Sequence, residues 1–232
     1  HLIGKDIIRQ HCVYWPAMLM SAGIEPPRGF AVGGWLLVDG AKMSKTDGNV
    51  VDPLDLIDDF GVDGFRYYVL TAAAYGNDGD FTRDAVIGRY NSDLANNLGN
   101  LAARVATVIG SKCDGIAPQA GSDGPLVDAA AEAYATAAAA WDDVAPHRAL
   151  EAAVGLVRAT NSYLEANEPW KADLGAAVER VLGDALEALR IATLLMAPAL
   201  PSTAQEIWQR IGLTGDVFAN RLPDAAAWGG HP

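Results

Sequence analysis

The sequence predicts a mainly α-helical chain in three parts: an α/β stretch over residues 1–40, a linking segment over 41–90, and an antiparallel helix bundle over 91–232. Three observations predict it. Half of the 232 residues are apolar, enough to build a substantial core. From Pro53 onward the apolar residues return at helical steps of three, four and seven. The clearest run with strand character, Phe30 to Val38, lies ahead of all of them.

Residues 5–22 carry apolar groups at Ile7, Ile8, Val13, Trp15, Leu19 and Met20, compatible with a short helix that Pro16 bends or restarts. Phe30 to Val38, bounded by Pro26-Pro27 and Asp39-Gly40, reads as a buried parallel strand. Leu54 to Phe60 makes one short helix closed by Gly61, and Val62 to Ala74 a second. Tyr75 to Phe81 is a loop. The longest helix, Arg83 to Ile109, shows the stripe Ile87, Leu94, Leu98, Leu101, Val105 and Val108. Ser111 to Pro125 is an inter-helix loop, and helices follow near 126–144, 147–166, 173–197 and 202–211. The third of these carries Leu174, Val178, Val181, Leu182, Ala185, Leu186, Leu189 and Met196 on one side. The tract Ala129 to Ala140 is apolar and free of proline, so it reads as close-packed helix rather than disorder.

Between strand and helices lies Ala41-Lys42-Met43-Ser44-Lys45-Thr46, followed by Asp47-Gly48-Asn49-Val50-Val51-Asp52-Pro53. Its glycine, serine and aspartate content predicts a mobile loop without a regular element. Lys42 and Lys45, three apart, are point charges suited to the phosphate oxygens of a nucleotide, where negative charge accumulates as a leaving group departs. Ser44 and Thr46 add hydroxyl donors. The position of this loop beyond a strand fits the ligand crevice of open α/β sheets.

The loop resembles the KMSKS signature of class I aminoacyl-tRNA synthetases, with Thr46 in place of the final serine. The block from His1-Leu2-Ile3-Gly4-Lys5-Asp6-Ile7-Ile8 to His11-Cys12-Val13-Tyr14-Trp15-Pro16 is similar to a second block of the methionyl-tRNA synthetases. Gly61-Val62-Asp63-Gly64-Phe65-Arg66-Tyr67-Tyr68 and Asn167-Glu168-Pro169-Trp170-Lys171 match the same family in the same order. The resemblance implies that residues 1–40 are the C-terminal part of a Rossmann-like catalytic domain, 41–90 the KMSKS loop and stem-contact segment, and 91–232 an anticodon-binding domain. The implied reaction joins methionine to tRNA(Met) through methionyl-adenylate, with ATP and Mg2+ as the nucleotide substrate and pyrophosphate as a product. One departure is Gly33, which stands where related sequences often carry a histidine.

The resemblance also assigns site residues. Lys42 and Lys45 stabilise the leaving pyrophosphate. Asp6, Lys42, Met43, Ser44 and Lys45 bind ATP, with the Asp6 carboxylate accepting the ribose hydroxyls. Ile7 and His11, four apart on a helix, lie against the methionine side chain. Asn100 and Arg104, also four apart, join Asn167, Pro169 and Trp170 in reading the anticodon: an exposed ring stacks a base while amide and guanidinium bond its Watson–Crick edge.

Net charge is −12, a field that opposes general nucleic-acid binding, so RNA recognition must rest on local basic and aromatic groups. Cys12 and Cys113 have no Cys or His partner at ligand spacing, so no metal site is readable; they suit reduced thiols in a cytoplasmic protein, Cys12 packed in an apolar helix. No apolar run is long enough to cross a membrane. The chain opens on His1 rather than Met, and no His-Ile-Gly-His type motif occurs in it. The expectation is a fragment missing its N-terminal catalytic half and inactive alone. Two rival readings stand: a synthetase for valine, isoleucine, leucine or cysteine, since Gly-Asn-Val-Val-Asp-Pro is widely shared, and a non-catalytic tRNA-binding module.

Overall fold

A computed structural model describes residues 3–44 and 48–231. Helix boundaries follow local chemistry. After a 3-10 turn at Lys5–Ile7 and a π-helical turn at Gln10–Tyr14, helix α1 covers Trp15–Ser21 with Pro16 in its first turn. Proline has no N–H, and the widened π turn falls where the ordinary ladder would reach it; the Trp15 amide bonds the Gln10 carbonyl instead. None of these helical residues is buried, and Cys12 is half-exposed rather than packed away.

Strand β1 is only Leu36–Val38 and is half-exposed, shorter and less buried than Phe30–Val38 predicts. It is the middle of a three-stranded sheet, antiparallel to β2 (Ala41–Lys42) and parallel to β3 (Gly79–Asp80). Lys42 thus sits in a strand, where the sequence predicts irregular loop, because Asp39 and Gly40 both take positive φ (53° and 76°) and close a tight hairpin. β3 likewise falls inside the expected 75–81 loop. The sheet draws on residues from both sides of position 40.

Helix α2, Pro53–Thr71, begins at Asp52, whose carboxylate accepts the Leu54 amide at 2.9 Å. Gly61, at φ 71°, breaks it into the two expected halves. Leu56, Tyr68, Phe81 and Val86 form a small core under this segment. The predicted long helix is one rod with a change of pitch: α3 (Arg83–Arg89), a π-helical stretch at Tyr90–Gly99, then α4 (Asn100–Lys112). The stripe holds from Leu98 through Leu101, Val105 and Val108, but in the first turns Val86 is buried rather than Ile87.

The bundle proper is α5 (Pro125–Asp142), α6 (Pro146–Asn167), α7 (Ala176–Met196) and α8 (Pro201–Arg210). In α5, Leu126, Ala130, Ala133, Ala137 and Ala140 make a buried seam whose small side chains let α6 approach closely. Helix α7 departs from its predicted one-sided stripe: every residue from Gly183 to Met196 is buried, while Leu174 lies outside the helix and exposed. It is the central helix. The sequence hides this because α7 carries Asp184, Glu187 and Arg190, which read as a solvated face. Glu187 and Arg190 instead pair with each other at 2.7 Å, Arg190 also donates to the Ala225 and Ala227 carbonyls, and Glu187 accepts the Gly230 and His231 amides. The tail wraps around that pair.

Candidate functional site

The nucleotide-site candidates converge on one indole. Trp35, immediately before β1, donates its Nε1–H to Asp6 Oδ2 at 3.0 Å, while Asp6 Oδ1 lies 2.6 Å from Lys42 Nζ. The Lys42 and Lys5 ammonium groups stand 4.7 and 4.0 Å from the centroid of the Trp35 ring. Lys5 also pairs with Asp78, whose Oδ1 accepts the Trp35 backbone amide at 2.8 Å. Two cations and two carboxylates therefore frame the ring, and their charges cancel. Gly34 permits the arrangement: a Cβ there would fall 1.9 Å from the Asn77 carbonyl oxygen.

The bond from Lys42, then that from Trp35, hold the Asp6 carboxyl below its usual range; Lys5, then the Trp35 amide, do the same for Asp78. Both stay ionised acceptors. The loop beyond Lys42 is pinned by Asn49, which accepts the Ser44 amide at 2.8 Å and donates to the Lys42 carbonyl at 3.2 Å. Met43 packs half-buried against the small core under α2. Lys45 and Thr46 lie outside the described residues.

Of the methionine candidates, Ile7 is exposed, and the His11 ring bonds the Ile7 carbonyl at 3.1 Å while meeting Trp15 edge-on. The two positions are joined through backbone.

At the bundle, Asn100, Arg104 and Trp170 line one open groove of about 510 Å³, together with Ala103, Thr107 and Val108. The Arg104 guanidinium lies 5.4 Å from the Trp170 ring centroid and 3.4 Å from Glu165. Trp170 is 36 % exposed, whereas Pro169 before it is buried. The turn is fixed by Glu168, left-handed at φ 40° and paired with Lys171 at 2.6 Å. The structure does not bring Asn167 into this groove: its amide is bonded to the Tyr163 carbonyl of its own helix.

The family model of class I tRNA synthetases (M) matches residues 1–106. The methionine–tRNA ligase of Streptomyces coelicolor is 38% identical over 246 residues, covering 100% of this chain and 46% of that protein. That of Synechocystis is 41% identical, over 96% of this chain and 43% of its own length. The Mycobacterium tuberculosis methionyl-tRNA synthetase solved with methionyl-adenylate superposes with a TM-score of 0.83 at 40% identity, over 94% of this chain and 45% of that one. Identity at this level runs along the entire chain. Along its whole length the chain is similar to methionyl-tRNA synthetases. It spans about half the length of the curated relatives it matches.

Sequence reasoning missed Trp35, Lys5, Asp78 and Asn49. Lys5 adjoins Asp6 in the matched block and Asn49 follows the lysine loop, so proximity was an available signal for both. Asp78 had none, since it lies 43 residues from the amide it accepts. Among the described residues no helix is long and apolar enough to cross a membrane.

Proposed function

We propose that this chain is the KMSKS half-site and anticodon-binding part of a methionine–tRNA ligase, in which residues 1–40 close a Rossmann-like catalytic domain, 41–90 carry the KMSKS loop and contact the tRNA stem and 91–232 read the anticodon. The reaction assigned to the whole protein is attack of the methionine carboxylate on the ATP α-phosphate, giving methionyl-adenylate and pyrophosphate, then transfer of the methionyl group to tRNA(Met). Lys42 and Lys45 neutralise the departing pyrophosphate, and no side chain is required as general base, because positioning and charge stabilisation carry such chemistry. Lys42 is bonded to Asp6 at 2.6 Å. On binding ATP the two exchange partners: Asp6 turns to the ribose hydroxyls and Lys42 to the phosphates.

The observation that carries this reading is the meeting of Asn100 and Arg104, from α4, with Trp170, from the turn after α6, in one open groove. A ring with one exposed face beside a guanidinium and an amide suits an unstacked base. Unpartnered apolar side chains on the first helical turns, Val13, Met18 and Met20 among them, support a catalytic half that covers them.

Titration of anticodon stem-loops tests the assignment. CAU is bound in preference to GAC or GAU, and Trp170→Ala weakens CAU binding by about 1–3 kcal/mol. Equal binding of the three loops removes methionine from the assignment. ATP–pyrophosphate exchange by the isolated chain stays at background; turnover above it refutes the half-site reading.

A further inference from the structure

Where α2, the π-helical stretch, α4 and α8 meet lies a partly open cavity of about 320 Å³, which borders the Trp170 groove only at Ala103. Its walls are apolar: Leu94, Leu98, Leu200, Ile207 and Ile211. Phe60 and Tyr90, whose ring centroids are 5.6 Å apart, supply aromatic surface. Gly64 makes room for Tyr90, since a Cβ there would lie 3.0 Å from its ring. Three charged side chains also line it: Glu206 and Arg210, which pair with each other, and Asp63. Asp63 Oδ2 accepts the Thr203 amide at 2.6 Å and so caps α8, while Asp63 Oδ1 is buried and has no hydrogen-bond partner. A buried carboxylate oxygen without a donor is costly and uncommon. The wall opposite is π-helical, a geometry found disproportionately at functional positions.

We infer that this cavity is a binding site for a small aromatic molecule carrying one N–H or O–H donor, which bonds Asp63 Oδ1 while its ring lies among Phe60, Tyr90 and the leucines. The volume accommodates one or two fused rings: apolar cavities of about 150 Å³ already take up benzene. The donor supplies specificity, and the aliphatic and aromatic walls supply most of the affinity.

The test uses indole as probe on the 232-residue chain, followed by methyl NMR. Indole shifts the methyls of Leu94, Leu98, Ile207 and Ile211 saturably and leaves those of α5 unmoved. Benzofuran, the same shape with an acceptor oxygen in place of N–H, binds about tenfold more weakly. Asp63→Asn keeps an oxygen for the Thr203 amide and turns an N–H toward the cavity, so the preference reverses: benzofuran then binds more tightly than indole. Ala102→Leu, which fills the cavity from α4, abolishes binding of both probes with no loss of melting temperature. Absence of shifts at these methyls, or an indole preference unchanged in Asp63→Asn, overturns the assignment; the reversal within one folded variant separates lost recognition from lost structure.

Discussion

The two ends of this chain hold themselves together in opposite ways. The bundle buries a central helix on all sides and even seals an ion pair inside: Glu187 is 0 % and Arg190 3 % exposed. Residues 3–40 bury almost nothing. Val13, Met18 and Met20 are 56 to 69 % exposed, and the region is organised by polar contacts around Trp35. The bundle therefore carries a core of its own, whereas the leading segment leaves much of its apolar surface in solvent. The difference follows from where apolar area is removed from water, the dominant favourable term in folding.

The largest expected effect is in the bundle. Glu187→Ala strands Arg190 in the interior and destabilises global unfolding by about 3–5 kcal/mol, measured by denaturant titration. Replacing both partners, as Glu187→Leu with Arg190→Met, recovers most of that loss. Burial raises the Glu187 carboxyl, but bonds from Arg190 and Gly230 outweigh it and leave it lowered. A carboxyl lowered by folding contributes stability that is present above its unfolded pKa and is lost as pH falls through the folded one. The contribution of Glu187 to bundle stability is therefore complete above the ordinary glutamate range and is lost below it.

A middle-sized effect is expected at the joint between the regions. Asp52→Ala removes the cap of α2 and costs about 1 kcal/mol, seen as faster amide exchange in the first turns of that helix. In the leading segment, Trp35→Phe deletes the N–H bonded to Asp6 and leaves the global unfolding midpoint unmoved. Its consequence is local: Asp6 and Asp78 both titrate below their ordinary value in the wild type, so their contribution is complete above the usual aspartate range and fades below it. The Trp35 fluorescence transition on acidification thus has its midpoint under the usual aspartate value of 3.8. Least affected is the double change Met18→Ser and Met20→Ser, within about 0.5 kcal/mol in stability. It reduces self-association measured by sedimentation, because it removes exposed apolar surface.

The same contrast explains what was legible in the sequence. Helices α5, α6 and α8 and the Gly61 break could be read because apolar period, proline starts and glycine stops are local signals. The apolar period of α7 is a local signal too, but its burial on all sides is not, since Glu187 and Arg190 are indistinguishable from surface charges until their partners are known. The π-helical stretch leaves the same apolar spacing as an α-helix over ten residues, so its pitch was not readable. Strand β1 was overextended because an apolar run does not reveal how few neighbours a strand has. At the sites, Asn100, Arg104 and Trp170 line one groove and Asn167, two residues before Pro169, does not, although the amides of both asparagines bond a carbonyl one turn back. Trp35 escaped notice as one more apolar residue in a strand, although its indole N–H is the hinge of the Asp6 and Lys42 contacts.

Native-state hydrogen exchange across the whole chain tests this division most directly. Amides of α5, α6 and α7 should exchange only through global unfolding, and those of residues 5–21 and 35–43 through openings of much lower free energy. Equal protection in both regions, rising and falling together with denaturant, would contradict the account.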